Sequence, residues 1–236
     1  MRLEPSWGLL KDSQGCQRER IEQMGMINYR AMALDSFLIE LSSRSATPGG
    51  GAAAGLVAAI GASLAAMVAA LSQGPRFMSV ENRMKELEAR FTQSRDRCLI
   101  YADQDSIAFQ HWMAAARISS CDPAAREEGL RAAMKESCRV PIALGEEVIG
   151  LQDALAALQE YGNVRVLSDV GAALALLTAA LEISILTLRI NQREIADLGL
   201  REELTRSIRS FDCACSQMRE WESQIRSRLE GELRNE

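Results

Sequence analysis

The stretch Ala52-Ala53-Ala54-Gly55-Leu56-Val57-Ala58-Ala59-Ile60-Gly61-Ala62-Ser63-Leu64-Ala65-Ala66-Met67-Val68-Ala69-Ala70-Leu71 carries no charge over twenty consecutive residues, ten of them Ala. Its strongly apolar members Leu56, Ile60, Leu64, Met67, Val68 and Leu71 recur at three-four spacing, while Gly55, Ala59, Ala62, Ala66 and Ala70 form ridges of small residues. A stretch of this length is long enough to span a bilayer. Alanine contributes little to insertion, however, and the aromatic and basic anchors that usually flank a span are missing. The pattern reads instead as a central helix that neighbouring helices approach closely, which sets the expectation of a helical bundle.

Outward from this segment the helical periodicity continues. A short helix is predicted over Asp35 to Ser43, and Thr47-Pro48-Gly49-Gly50-Gly51 breaks the chain before the Ala-rich run. A long helix is predicted from near Ser79 to about Arg117, on the stripe Val80, Met84, Leu87, Phe91, Cys98, Tyr101, Ala108, Trp112 and Ala115. Asp122-Pro123 supplies an N-cap oxygen and a first-turn proline for a helix to about Arg139, after which Pro141 is expected to restart the chain. The next helix carries Val148, Leu151, Leu155 and Leu158 and is expected to end at Gly162-Asn163 in a left-handed cap or turn. Ser168-Asp169 opens a nearly apolar helix to about Asn191, and a last helix spans roughly Leu200 to Leu229.

Clean two-residue alternation is absent, so the expected fold is all-α, an elongated bundle of six or seven helices. Residues 1–30 lack a sustained stripe and read as a partly ordered N-terminal extension without the apolar core of a signal peptide; residues 31–236 read as one domain. The helices over 52–71 and 169–188 have almost no polar face, more than the surface of a small monomer can satisfy. A homodimer burying one of them is therefore expected.

Composition narrows the function. The net charge is −5, and the basic residues are dispersed Arg with only Lys11, Lys85 and Lys135 as lysines. Such a chain has no electrostatic footprint for nucleic acid or for an anionic membrane, which leaves small molecules and proteins as partners. The six cysteines show no metal-ligand spacing and read as reduced thiols of a cytoplasmic protein. His111 is the only histidine, so multi-histidine metal sites are excluded and acid-base chemistry must lean on carboxylates. No metal and no catalytic cofactor is expected.

Several polar residues sit where periodicity does not ask for them. The alternation that buries Tyr101, Ala108 and Trp112 also puts Asp105 on the apolar stripe, where a carboxylate must be paired, hydrogen-bonded or protonated. Two readings follow: an internal ion pair with one of the arginines, or a site carboxylate with a raised pKa suited to proton transfer. Asp169 suits the positive end of a helix dipole, and Glu182 and Asn191 interrupt or end an otherwise apolar face further along. Thr47, Pro48, Gly49, Gly50 and Gly51 have the form of an anion-binding loop ahead of a helix N-terminus, or equally of a flexible linker.

Taken together, Phe37-Leu38-Ile39-Glu40-Leu41 and Ser45-Ala46-Thr47-Pro48-Gly49-Gly50-Gly51 with its Ala-rich helix resemble the opening of the formiminotetrahydrofolate cyclodeaminase and methenyltetrahydrofolate cyclohydrolase family. The likeness continues through Asp105-Ser106-Ile107-Ala108-Phe109, Pro141, Gly162-Asn163, Ser168-Asp169-Val170-Gly171, Ala179-Ala180-Leu181-Glu182 and Arg189-Ile190-Asn191. The resemblance implies an all-helical homodimer that binds a tetrahydrofolate derivative as substrate in a groove between subunits. Such enzymes close the formimino group with loss of ammonia, or open the methenyl bridge with water to give the formyl compound. On this resemblance Asp105 shuttles protons and Asp169 assists. Thr47, Pro48 and the three glycines, with Asn163, Ser168, Glu182 and Asn191, contact the substrate, and arginines meet its glutamate tail.

The chain also departs from the family pattern. Ile183-Ser184-Ile185-Leu186-Thr187-Leu188 stands where a Gly-Ala pair and then Asn-Val are usual, Arg117-Ile118-Ser119-Ser120 replaces Leu-Pro-Lys, and Gln73-Gly74-Pro75-Arg76-Phe77 replaces a lysine-rich segment. Ile183 in place of glycine narrows the groove. The alternatives to a folate enzyme are a repurposed paralogue catalysing another amine cyclisation or ammonia elimination, and a non-catalytic binding dimer.

Overall fold

The computed structural model describes residues 27–117 and 123–233, all helix, turn and connecting loop. Seven α-helices occur among these residues: α1 (Leu34–Leu41), α2 (Gly50–Ala70), α3 (Glu81–Ala116), α4 (Pro123–Ile149), α5 (Gln152–Tyr161), α6 (Leu167–Glu194) and α7 (Leu198–Leu233). Short 3-10 turns occupy Tyr29–Ala31 and Val164–Val166. The all-α expectation is met, and the 36 residues of α3 make it ~54 Å long. Asp122, expected to cap α4, lies outside the described residues.

The Ala-rich helix α2 is central because small residues let its neighbours in. A Cβ on Gly55 would lie 2.7 Å from the Cys98 carbonyl and 2.8 Å from the Ala102 amide of α3. On the opposite flank, a Cβ on Gly61 would lie 2.9 Å from Leu177 Cγ of α6. Both approaches are closer than side chains permit, so glycine at these two positions sets the interhelical distance. Both α3 and α6 run antiparallel to α2: Gly51 meets Asp105 and Gly55 meets Cys98 and Ala102 of α3, while Gly50 faces Ile183 and Gly61 faces Ala173–Leu177 of α6. Either apolar helix would be long enough to cross a membrane, yet 56% of the α2 window and 50% of the α6 window are buried inside the fold.

Around this trio, α4 and α7 complete the bundle. Helix α4 runs antiparallel to α3, pinned by Arg97 to Glu147 at 2.6 and 2.8 Å and by His111 Nδ1 to Glu136 at 2.9 Å. Helix α7 packs Leu204, Ile208, Phe211, Cys215, Met218 and Ile225 inward and joins α6 through Arg189–Asp212. The Phe211 ring occupies the space that a Cβ on Gly145 would need.

Two local expectations are corrected. Pro141 does not restart the chain: it is buried inside α4, which continues to Ile149, and the break before α5 falls at Gly150-Leu151. Tertiary packing thus outweighs the helix-breaking tendency of a proline. Gly162 is not left-handed, with φ −69° and ψ 167°. It is needed because a Cβ there would collide with the Leu158 carbonyl. The only positive φ among the described residues is at Gly74 (+91°), in the turn after α2. Tyr29 and Arg30, at the end of the segment read as a partly ordered extension, dock on α3, which leaves that expectation standing: the Tyr29 amide donates to Asp103 at 2.7 Å and the Tyr29 hydroxyl to Ser106 at 2.9 Å. The rest of that extension, residues 1–26, lies outside the described residues.

Candidate active site

A cleft of about 410 Å³ opens where the loop before α2, the C-terminal third of α3, the middle of α4 and the end of α6 meet. Its inner end is Asp105. The carboxylate lies directly on the Cα of Gly51, in space that a Cβ would otherwise fill, and accepts a hydrogen bond from the Ala52 amide in the first turn of α2. Burial pushes the Asp105 carboxyl above its ordinary value of 3.8, and the Ala52 amide pulls back only in part. No arginine or lysine pairs with Asp105 among the described residues. The internal ion pair belongs to its neighbour Asp103, 5% exposed, which accepts from Arg30 Nε at 3.1 Å. Of the two readings of Asp105, the internal ion pair is not formed among the described residues.

Next to Asp105 on the same face of α3 come Phe109 and Trp112, at i+4 and i+7, with ring centroids 5.8 Å apart and planes at 32°. They form an apolar wall continued by Met134 and Ile190. The polar groups that also line the cleft are Thr47, Ser137, Thr187, Asn191 and Glu194. Asn191 is held by Pro141. A proline has no N–H, so the carbonyl of Ser137, four residues earlier, lacks its helical donor, and the Asn191 side-chain amide donates to it at 3.4 Å. Burial pushes the neighbouring Cys138 thiol up to about 11, against a smaller opposing effect of Asn191, so this cysteine is not a thiolate nucleophile at neutral pH.

The residues expected to form the site, Glu182 apart, thus divide into two groups. Asp105, Thr47, Gly49, Gly50, Gly51 and Asn191 line the cleft, and Pro48 is buried beneath the loop, joined to Thr47 by a cis peptide bond. Asn163, Ser168 and Asp169 lie at the other end of α2: the Asn163 amide donates to Ser72 Oγ at 2.8 Å and its side chain donates to the Leu71 carbonyl at 3.1 Å. The 21 residues of α2 separate the two groups by ~30 Å. Glu182 is in neither group and pairs with Arg219 of α7. The loop expected to bind an anion already has one, because Asp105 occupies the first turn of α2. Residues not singled out as contacts are Ala46, Phe109, Trp112, Met134, Ser137, Thr187, Ile190 and Glu194. Their signal was the three-four spacing 105, 109, 112 on α3 and 187, 190, 194 on α6. Among the described residues no group of three His, Cys, Asp or Glu side chains is placed to hold a metal ion.

A family model described as formiminotransferase-cyclodeaminase matches residues 33–210. Formimidoyltransferase-cyclodeaminase of Gallus gallus is 30% identical over 179 residues, which are 74% of this chain and 33% of that protein. Methenyltetrahydrofolate cyclohydrolase of Methylorubrum extorquens is 32% identical over 177 residues, 72% of this chain and 84% of that protein. The chain therefore spans about a third of the length of the vertebrate relatives and most of the bacterial one. The crystal structure of formiminotetrahydrofolate cyclodeaminase from Thermotoga maritima superposes with a TM-score of 0.78 at 26% identity, covering 87% of this chain and 99% of that one.

Proposed function

The chain belongs to the formiminotransferase-cyclodeaminase family, and from that membership we propose that it is a folate one-carbon enzyme whose chemistry centres on Asp105. The observation that carries this reading is a carboxylate of raised pKa, with no cationic partner among the described residues, in an aromatic-walled cleft. Two reactions suit it, hydrolysis of methenyltetrahydrofolate to formyltetrahydrofolate and cyclisation of formiminotetrahydrofolate with loss of ammonia.

In the hydrolysis, water adds its oxygen to the bridging carbon and gives one proton to Asp105. The remaining hydroxyl proton moves to the departing nitrogen as the C–N bond breaks and the carbonyl forms, so one proton is released overall. In the cyclisation, the amine nitrogen attacks the carbon of the protonated formimino group, the amine proton is carried to the leaving nitrogen, and ammonia departs from the tetrahedral carbon to leave the methenyl cation. Both need a group that takes and returns a proton at one carbon, which a carboxylate tuned towards neutrality does well. Phe109 and Trp112 offer flat faces for a bicyclic ring. Neither reaction calls for a bound cofactor, and the cytoplasm is the proposed compartment.

The active unit is a homodimer on this reading. The α2 stripe leaves Ile60 43% exposed, with Met67, Leu71 and Val164 continuing it, and α6 leaves Leu186 64% exposed. Two copies laid antiparallel along these faces would bring the Asn163, Ser168 and Asp169 end of one protomer to the Asp105 cleft of the other. Light scattering should give about twice the 25.9 kDa chain mass; a monomer across micromolar concentrations would remove this composite site. A second reading has one observation behind it: Ile183 Cγ2 lies 3.9 Å from a Cβ built on Gly50, so a bulky side chain stands behind the cleft floor and favours a related but altered substrate.

The decisive assay mixes the full chain with methenyltetrahydrofolate and follows its near-ultraviolet band against buffer. Accelerated decay is expected. No acceleration, together with no band appearing from formiminotetrahydrofolate, would retire the folate reading.

A further inference from the structure

The Asp105 cleft is built for a particular charge. Its lining includes two carboxylates, Asp105 inside and Glu194 on the last turn of α6, and no lysine, arginine or histidine. His111, on the neighbouring face of α3, is already engaged with Glu136. The one feature that would attract an anion, the first turn of α2, is filled by Asp105 through the Ala52 amide. Glu194 is exposed and makes no ion pair or hydrogen bond among the described residues. Beside these carboxylates stand the faces of Phe109 and Trp112, whose negative quadrupoles also favour a cation.

We infer that the cleft selects a planar amidinium cation, and that Glu194 is the specificity-determining residue that draws that charge in. The inference deepens the folate reading and rests on it for the identity of the natural ligand: a methenyl bridge and a protonated formimino group are both amidinium cations, whereas the formyl product is a neutral amide. In the hydrolysis, substrate is thereby held in preference to product, and any anionic tail is directed out of the cleft, away from Glu194.

The test uses benzamidine and its neutral near-isostere benzamide, titrated into the full-length protein with tryptophan fluorescence as the readout and Trp112→Phe as the blank. Benzamidine should bind about tenfold more tightly than benzamide. Glu194→Gln should cut that ratio by about threefold, the scale of an exposed charge pair, and the cut should shrink as salt is added. Equal binding of the two probes, or an unchanged ratio in Glu194→Gln, would overturn the inference. Benzamidine preference without folate turnover would retire the folate reading and leave the cation site standing. Folate turnover without the preference would do the reverse.

Discussion

Asp105→Asn is expected to lower turnover by ~10²-fold or more while raising the melting temperature at neutral pH. The two effects have one cause. Burial lifts the Asp105 carboxyl above its ordinary 3.8, which means that the ionised form is less stable in the folded protein than in the unfolded chain. The native state therefore binds the extra proton, and stability falls as pH rises from the unfolded pKa through the raised folded one. Asparagine keeps the shape and the acceptor oxygen for the Ala52 amide and carries no charge to desolvate. Its stability advantage should be absent well below pH 3.8, grow through the folded pKa and then level off. Wild-type turnover should fall on the acid side with a midpoint above 3.8, because the ionised form takes the proton from water. Melting curves from pH 3 to 8 alongside rates decide the matter. A variant less stable than wild type at pH 7 would mean that Asp105 is a structural anchor, and a normal rate would end its catalytic assignment.

The same residue shows how far sequence reasoning reached. Helical spacing alone put Asp105 on the inward face of α3, and the Ala-rich ridges of α2 announced that α3 and α6 would approach it closely. Both follow from local periodicity, which a single sequence carries. What periodicity could not supply was which of two acids two residues apart was paired. Asp103 pairs with Arg30 from a segment with no stripe of its own, so the ion pair that was one of the two readings of Asp105 forms two residues earlier.

Other parts were out of reach for a different reason. Trp112 was read as core because its spacing is core spacing; a cleft wall and a core wall have the same period, and only the position of α4 and α6 tells them apart. Pro141 was read as a breaker, since nothing local says that its environment is buried on all sides. In the fold it leaves a helix intact and a carbonyl unpaired, and Asn191 is held by that carbonyl. Asn163, Ser168 and Asp169 were named by resemblance alone, and one chain keeps them at the far end of α2, where only a second copy could join them to Asp105.

Gly51→Ala should be nearly as damaging to turnover as removing the carboxylate, with little loss of folding. The Asp105 carboxyl group rests where the new methyl would go, its carbon and both oxygens all closer than any real Cβ contact. The three nearest atoms all belong to the Asp105 side chain, so that side chain is expected to swing aside rather than the helices to part. Alanine gains up to about 1 kcal/mol of helix propensity over glycine, which offsets the lost Ala52 hydrogen bond, worth about 1 kcal/mol. The melting temperature should therefore move little. The carboxylate, however, is displaced by about an ångström from the reacting carbon, and a misplacement of that size costs ~10²-fold. Gly50→Ala is the comparison: the nearest atom to its Cβ is Ile183 Cγ2 at 3.9 Å, an ordinary contact, so its loss should be much smaller. Equal losses at the two glycines would show that the loop needs backbone freedom and not room for Asp105. A Gly51→Ala enzyme with full activity would place the reacting carbon elsewhere than against the first turn of α2.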